Sequence, residues 1–326
     1  MQTLYTAALG AIGLSQSNDN LAADILRQQF VNHVNEFGYS YGTKEEFEFR
    51  FERYLQSEKE IAEINAQDMG FKLAHNQFST WTEAEYQRML SKKPTKGESK
   101  LPYEDLDESL TAATVDWRKQ GAVQPIQNQG YCGSCWAFNA IATMEGAHKI
   151  ATGELIKLSE QQMVDCDTRS GGCDGGLEIW GWQYAAKKPI ALRSHYPYTA
   201  KDGKCNDANV AGKVKVTAQY GVKNTVAAHK AALNKQPVAL GINASNRIFQ
   251  SYSSGILQDP KGSCKPYIDH GVTAVGYGTE NGLDYMIVRN SWGTGWGESG
   301  YFRVAIDKDG AGVCGVQDDT SYCTTN

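Results

Sequence analysis

From about residue 20 to residue 90, apolar positions recur near helical spacing among charges. Phe47, Phe51, Tyr54, Leu55, Ile61 and Ile64 carry the pattern and predict a helical front. Residues 92–108 (KKPTKGESKLPYEDLDE) have no period and contain Pro94 and Pro102, which predicts a linker open to proteolysis. After Val115 the pattern changes. Residues 135–150 (CWAFNAIATMEGAHKI) read as a buried helix stopped by Gly153. Ser159 with Gln162 three residues later is a capping-box pattern that starts a second helix. From Lys213 onward the segments KVKVTAQYGV, PVALGIN, GVTAVGYG, DYMIVRN and GYFRVAI read as strands, with glycines between several of them. Helices first and strands later predict an α+β body of two subdomains with a cleft between them.

Composition sharpens this picture. The 326 residues are 41% hydrophobic and 21% charged, enough apolar material for a core and too little charge for a disordered chain. No run of about 18 apolar residues exists, so no membrane span is expected. The net charge of −5 argues against a nucleic-acid partner. The charge is uneven: residues 1–112 hold 11 basic against 18 acidic side chains, and the remainder 21 against 19. An acidic front and a slightly basic body are complementary, as docking of one on the other requires.

Cysteine is split more sharply. All eight (Cys132, Cys135, Cys166, Cys173, Cys205, Cys264, Cys314 and Cys323) lie after residue 130, which suggests an oxidising compartment and a disulfide-stapled body. A zinc site needs two ligand pairs, and only Cys132-x-x-Cys135 has that spacing, so no metal is expected. Residues 4–14 (LYTAALGAIGL), followed by Ser15, Gln16 and Ser17, have the length of a signal-peptide core, although no Lys or Arg precedes them. The competing reading is a frayed apolar first helix. The expected division is a signal peptide over 1–17, a front with its linker over 18–112, and a body over 113–326.

The chemistry concentrates in Gln129-Gly130-Tyr131-Cys132-Gly133-Ser134-Cys135-Trp136. Cys135 stands where the long apolar helix begins, and unpaired N–H groups at a helix start favour a thiolate. Nucleophilic cysteine also needs a base and a group that orients the base. His270 lies in Tyr267-Ile268-Asp269-His270-Gly271 at the head of a strand, and Asn290 opens Asn290-Ser291-Trp292-Gly293-Thr294-Gly295-Trp296-Gly297. His33, His75, His148, His195 and His229 lack such a context.

With GYCGSCWAF, DHGVTAVGYG and NSWGTGWGESGYF together, the chain resembles the papain family of cysteine proteases, and among them the cathepsin L-like proenzymes. The resemblance covers residues 20–326. It implies a two-subdomain fold, with a helical left domain and a β-barrel-like right domain, behind a helical inhibitory propeptide. In the front, Glu46, Arg50, Tyr54, Ser57, Ile61 and Asn65 match one propeptide motif, with Tyr for Phe and Ser for the first Asn. Ala74, Asn76, Phe78 and Thr80 match a second that has lost its glycine and aspartate.

The resemblance also implies roles. Cys135 is the nucleophile, His270 its acid–base partner and Asn290 the holder of the imidazole, shielded by Trp292. Gln129 joins the Cys135 N–H in an oxyanion hole. The implied disulfides are Cys132–Cys173, Cys166–Cys205 and Cys264–Cys314, which leaves Cys323 over as a lone or intermolecular thiol. Substrate contacts fall on Gly175, Gly176, Leu177, Glu178, Gly241, Ile268, Asp269, Gly271 and Trp292. Asp319 takes the floor of the pocket for the side chain two residues before the scissile bond, where relatives commonly have a small apolar residue. No insertion stands between Cys173 and Cys205, which favours an endopeptidase. Polypeptide substrates and the chain's own propeptide are the expected partners of a monomer in the secretory pathway, a lysosome or digestive vacuole, or outside the cell, with no cofactor. Two other classes compete. A non-catalytic relative should have lost the nucleophile, and a Cys132-x-x-Cys135 oxidoreductase lacks its βαβ pattern. The sequon Asn243-Ala244-Ser245 is a glycosylation candidate.

Overall fold

A computed structural model describes residues 16–90, 101–109, 111–259, 262, 264–265 and 267–326. The apolar stretch 4–14 and residues 92–100 of the expected linker lie outside the described residues.

The front opens with two helices, α1 (Gln16–Glu36) and α2 (Lys44–Asn65). Thr43 caps α2 by accepting from the Glu46 N–H at 3.1 Å, and Glu45 and Glu46 add negative charge to its first turn. Phe51, Tyr54, Ser57 and Ile61 form its buried face, and Phe30 of α1 packs on Phe47, Phe51 and Tyr54. The helical pattern expected to run to residue 90 breaks here. Phe71–Leu73 is a strand, β1, with Phe71 and Leu73 buried and Lys72 exposed, a period of two rather than 3.6. The short α3 (Glu83–Gln87) follows, started by a capping box between Thr82 and Glu85.

The body begins with β2 (Val115–Asp116) and the long α4 (Cys135–Thr152), closed by Gly153 in the left-handed conformation at φ 80°. Next come α5 (Glu160–Cys166), α6 (Glu178–Ala185) and β3 (Ile190–Ala191). Ser159 caps α5 through the Gln162 N–H at 3.0 Å, but the Gln162 side chain turns to Tyr184 and Ala191 instead of completing a capping box. Then follow β4 (Gly212–Val214), β5 (Val216–Gly221), α7 (Val226–Lys235), β6 (Val238–Ile242) and α8 (Arg247–Gln250). The chain ends with β7 (Tyr252–Leu257), β8 (His270–Glu280), β9 (Leu283–Arg289), β10 (Tyr301–Ala305) and β11 (Thr320–Thr325).

The main sheet runs β1-β7-β10-β9-β8-β6-β11-β5, with β2 added on β8. Its edge strand thus comes from the front: β1 pairs antiparallel with β7, Phe71 opposite Gly255. One apolar core lies between α4, α5 and α6 around Trp136, Met144, Met163 and Trp182; a second lies on the sheet around Phe249, Trp292, Trp296 and Phe302. Disulfides Cys132–Cys173 and Cys166–Cys205 staple the helical part, and Cys264–Cys314 the sheet part. Cys323 is fully buried in β11 outside any disulfide, which removes it from intermolecular pairing in the folded chain, and burial pushes its thiol far up. Among the described residues no helix is long and apolar enough to cross a membrane.

Candidate active site

The cleft lies where the start of α4 meets the start of β8. Gly271 lies at that approach. A Cβ there would stand 3.4 Å from the Cys135 carbonyl oxygen and 3.3 Å from Asn139 Nδ2, so the strand lies tight against the helix. Asn139, one turn into α4, bolts the two together: it donates to the Leu240 carbonyl at 3.2 Å and accepts from Thr273 Oγ1 at 2.9 Å. Cys135 is buried and outside every disulfide, while its neighbour Cys132 is bridged to Cys173. The oxidoreductase reading therefore loses its cysteine pair.

His270 Nε2 stands 2.8 Å from Asn290 Oδ1. An amide oxygen only accepts, so Nε2 carries the hydrogen and Nδ1 is the accepting nitrogen of the neutral ring. Asn290 Oδ1 also accepts from the Ser291 N–H at 2.8 Å. The imidazole stacks on Trp292, ring centres 4.6 Å apart and planes 28° apart, and Phe249 meets it edge-on. These aromatic walls keep water from the His270–Asn290 bond. Trp296 is fully buried and donates to the Gln250 carbonyl at 3.1 Å, a packing role.

Gln129 is held from three directions. Its N–H donates to the Ser291 carbonyl at 2.8 Å, its Oε1 accepts from Ser291 Oγ at 2.7 Å, and its carbonyl accepts from Tyr198 OH at 2.7 Å. Tyr198 OH also pairs with Ser134 Oγ at 2.6 Å, tying the residue before Cys135 to the same anchor. The Gln129 Nε2 donates to the Cys132 carbonyl at 2.9 Å and to the Met89 carbonyl of the front at 3.1 Å. Tyr198 and Ser291 were not singled out in the sequence. Their contacts span 69 and 162 residues, and no local pattern encodes them.

Gly241, Ile268 and Asp319 come together beside His270. A Cβ on Gly241 would meet Ile268 Cγ2 at 2.5 Å and Asp319 Oδ2 at 2.9 Å, and the Gly241 N–H donates to the Asp319 carbonyl. Asp319 is half-buried and Asp318 exposed. Leu177 and Glu178 are fully buried at the start of α6, with Glu178 Oε1 3.4 Å from Ser321 Oγ on β11. Gly176 packs against Trp136 and Ser170, and Gly175 links it to Cys173. Asp269 is buried, which pushes its carboxyl up against hydrogen bonds from Ser245 and the Ala244 N–H. Asn243 is buried too, its amide nitrogen donating to the Tyr267 carbonyl at 2.8 Å, so the folded sequon is closed to a glycan.

The front covers the Gln129 and Trp292 side of this site. Phe78 and Tyr86 meet Trp292 edge-on at 4.9 and 5.8 Å, and Gln77 Nε2 donates to the Trp292 carbonyl at 2.7 Å. Asn76 donates to the Gln250 carbonyl and Tyr86 OH to the Ala244 carbonyl. Behind them Arg50 grips Glu85 through two hydrogen bonds of 2.6 Å, Glu46 at 2.7 Å and the Thr80 carbonyl at 2.9 Å. Asn65 brackets Leu73 through its carbonyl and its N–H, both at 2.8 Å, and Ser57 Oγ donates to the Ser79 carbonyl. Ile61 is buried in the core that front and body share. Past the described gap, Tyr103 bridges to Gly221 and Glu104 pairs with Lys235, so part of the expected linker lies on the body.

A buried cysteine at a helix start, an amide-held imidazole and a covered cleft define a thiol hydrolase held shut by its own chain. Residues 111–324 match the papain family cysteine protease domain and residues 30–86 the cathepsin propeptide inhibitor domain. The chain is 39% identical over 339 residues to the senescence-specific cysteine protease SAG12 of Arabidopsis thaliana, covering 98% of this chain and 96% of that one. A solved recombinant stem bromelain precursor superposes with TM-score 0.85 at 36% identity, covering 92% of this chain and 98% of that one. Digestive procathepsin L 3 of Tenebrio molitor larval midgut superposes with TM-score 0.82 at 31% identity, over 92% and 99%. The chain belongs to the papain family of cysteine proteases. It is a peptide-bond hydrolase in zymogen form, with its inhibitory domain in the same chain.

Proposed function

We propose that Cys135, His270, Asn290 and Gln129 carry out the hydrolysis, and the observation that supports this most is the His270–Asn290 bond beneath Trp292, directly beside the start of α4. The Cys135 thiolate attacks the scissile carbonyl carbon, and the oxygen takes up negative charge against Gln129 Nε2–H and the Cys135 N–H. Removing one such donor costs about 2.7–4 kcal/mol in the barrier. His270 delivers its proton to the leaving amine as the C–N bond breaks, which leaves a thioester. A water then attacks the thioester with His270 as base, releasing the acid and restoring the thiolate. Asn290 keeps the ring facing Cys135 through both steps.

In the zymogen, the Met89 carbonyl occupies the Gln129 amide that this reaction needs. Residues 18–112 are then the removable propeptide and 113–326 the mature enzyme, made with a signal peptide over 1–17. Three disulfides support the secretory pathway, with a lysosome, a digestive vacuole or the exterior as destination. Asp319, beside Gly241 and Ile268, pairs with arginine two residues before the scissile bond, with Glu178 assisting, while Leu177 and Ile268 hold apolar side chains there. Such a charge-assisted bond contributes about 1.5–3 kcal/mol. The test is cleavage of a general peptide substrate after incubation at pH 4.5, with and without a thiol alkylator. Activity that appears with the loss of about 110 residues, and that alkylation removes, supports the reading. Activity that survives alkylation overturns it.

A further inference from the structure

Tyr131, two residues after Gln129, is an exposed aromatic ring between the buried Gln129 and Cys132, with 71% of its surface open. The next residue is clamped by the Cys132–Cys173 disulfide, and the Gly133 N–H donates to the Cys173 carbonyl at 2.9 Å. The ring therefore stands on a rigid base. In the zymogen one partner lies on it. Trp81 of the front stacks face to face, centres 4.9 Å apart and planes 10° apart. That indole is itself aimed: its Nε1 donates to Tyr39 OH at 3.1 Å, and Phe78 braces it edge-on at 5.0 Å.

The direction of the front through the cleft tells which end this is. Phe78 and Tyr86 lie on Trp292, Met89 reaches Gln129, and Leu101 and Tyr103 arrive at Gly221 on β5, next to β11. Asp319 immediately precedes β11, so the Trp81 end of the path is the end away from the Asp319 pocket. In the reading above, that end receives the residues after the scissile bond.

We propose that Tyr131 is a binding platform for an aromatic side chain on the leaving side of the substrate, with Trp81 standing in for that side chain in the zymogen. The inference rests on the proposed active site. When the front departs, the Tyr131 face is uncovered without moving, because the disulfide fixes its loop. A planar ring from the substrate then gains the stacking that Trp81 gives up. An aromatic pair contributes about 0.5–1.5 kcal/mol beyond the area it buries, which is roughly two- to tenfold in kcat/KM. A preformed, rigid partner realises the upper part of that range, because little entropy is lost in ordering it.

The experiment uses the activated enzyme and a set of quenched peptides identical except for Trp or Ala at the first, second or third position after the cleaved bond. The wild type should favour Trp over Ala about five- to tenfold at one of these positions. Tyr131→Ala should bring that ratio below about twofold, and Tyr131→Phe, which keeps the ring, should restore it. The Arg-to-Phe ratio two residues before the bond should be the same in all three proteins. If the wild type cleaves the peptides but shows no Trp preference, or keeps it in Tyr131→Ala, the platform is wrong and the active-site reading stands. If the wild type cleaves none of them, both fall.

Discussion

The front and the body are built on different physics. Taken alone, the helical hairpin α1–α2 buries a small aromatic cluster of Phe30, Phe51 and Tyr54, with no disulfide. The body has two large cores and three disulfides. Beyond α2 the apolar residues of the front do not make a core of their own. Phe71, Leu73, Phe78, Trp81, Tyr86, Met89 and Leu90 join the core of the body's sheet, as does Ile61 near the end of α2. Burying a large side chain contributes about 1.5–3 kcal/mol, so most of the apolar stabilisation of the front is held at its contact with the body. The front is a clasp whose order depends on what it closes.

The shifted histidine and carboxyl groups of the front all respond to acid in one direction, and those of the body in both. In the front, burial and the nearby His75 hold His33 at about 4, and its Nε2 meets no hydrogen-bond partner among the described residues. Tyr54 and Tyr39 face its ring, His75 lies 6.0 Å away and pairs with Glu58 at 2.8 Å, and Glu36 lies on the same helix. The bond to His75 lowers Glu58, and the Arg50 guanidinium holds Glu85 at about 2. In the body, burial raises the carboxyls of Glu145 and Asp269 but lowers His229, and against burial the hydrogen bonds of Arg118 and Lys230 lower Asp116 and Asp284. The signs agree in the front and are mixed in the body. A lowered histidine costs nothing above 6.5, and its penalty grows as pH falls from 6.5 to about 4. The lowered carboxylates stabilise the front above their ordinary range and lose that contribution as pH falls through it. The raised carboxyls of the body bind protons more readily folded than unfolded, so acid favours their folded state. Acid therefore weakens the front through every one of these groups, while in the body the raised carboxyls offset part of the loss.

The largest effect comes from disabling the body and leaving the front in place. Cys135→Ser should lower turnover by on the order of 10⁴–10⁶-fold, because a serine hydroxyl is not ionised there. Its full-length mass should persist through incubation at pH 4.5. Self-processing at the wild-type rate would remove Cys135 from the mechanism.

That inert chain then allows the acid contrast to be measured. Between pH 6.5 and pH 4, His33 alone withdraws about 3 kcal/mol from the front, roughly a hundredfold in amide protection factor, the observed rate taken relative to the intrinsic rate at each pH. Amides of α1 and α2 should lose that protection while those of α4 and β8 keep theirs. Parallel loss in both regions would mean that front and body respond to acid as one unit, against the contrast drawn above.

The smallest effect is confined to the body. Asp319→Ala should lower the Arg-to-Phe ratio of kcat/KM, for the residue two before the scissile bond, by about tenfold. Exchange in the front should not change. A shift of less than about threefold would show that Asp319 does not contact the substrate.

Local pattern made much of this architecture legible. The run from Cys135 is a helix with its glycine stop, and the five alternating segments after Lys213 hold strands β4 to β6 and β8 to β10. The strands that went unseen have weak local signals. β7 (YSSGIL) and β11 (TSYCTT) are largely polar, and β1 has three residues in a region of helical spacing. Their pairing with neighbours, more than their side chains, makes them strands. Gly271 and Gly241 stood in the sequence as substrate contacts; the fold adds that one lies tight between α4 and β8 and the other lets Ile268 and Asp319 close onto the β6 backbone.

Residue chemistry is local. A cysteine at a helix start, an imidazole at a strand head, an asparagine beside a tryptophan, and a cysteine-free acidic front ahead of a cysteine-rich body were all written in the chain by itself. The tertiary structure decided what each of them faces. It placed the Met89 carbonyl on Gln129 across 40 residues, Gln77 on Trp292 across 215 and Asn76 on Gln250 across 174. It also sent Cys323 into the interior and turned Phe71–Leu73 into the edge of another region's sheet. The reason is physical: periodicity tells a segment which of its faces must be buried, but the partner that buries it is chosen by the shape and free hydrogen-bonding groups of a distant surface, which exists only once the rest of the chain has folded.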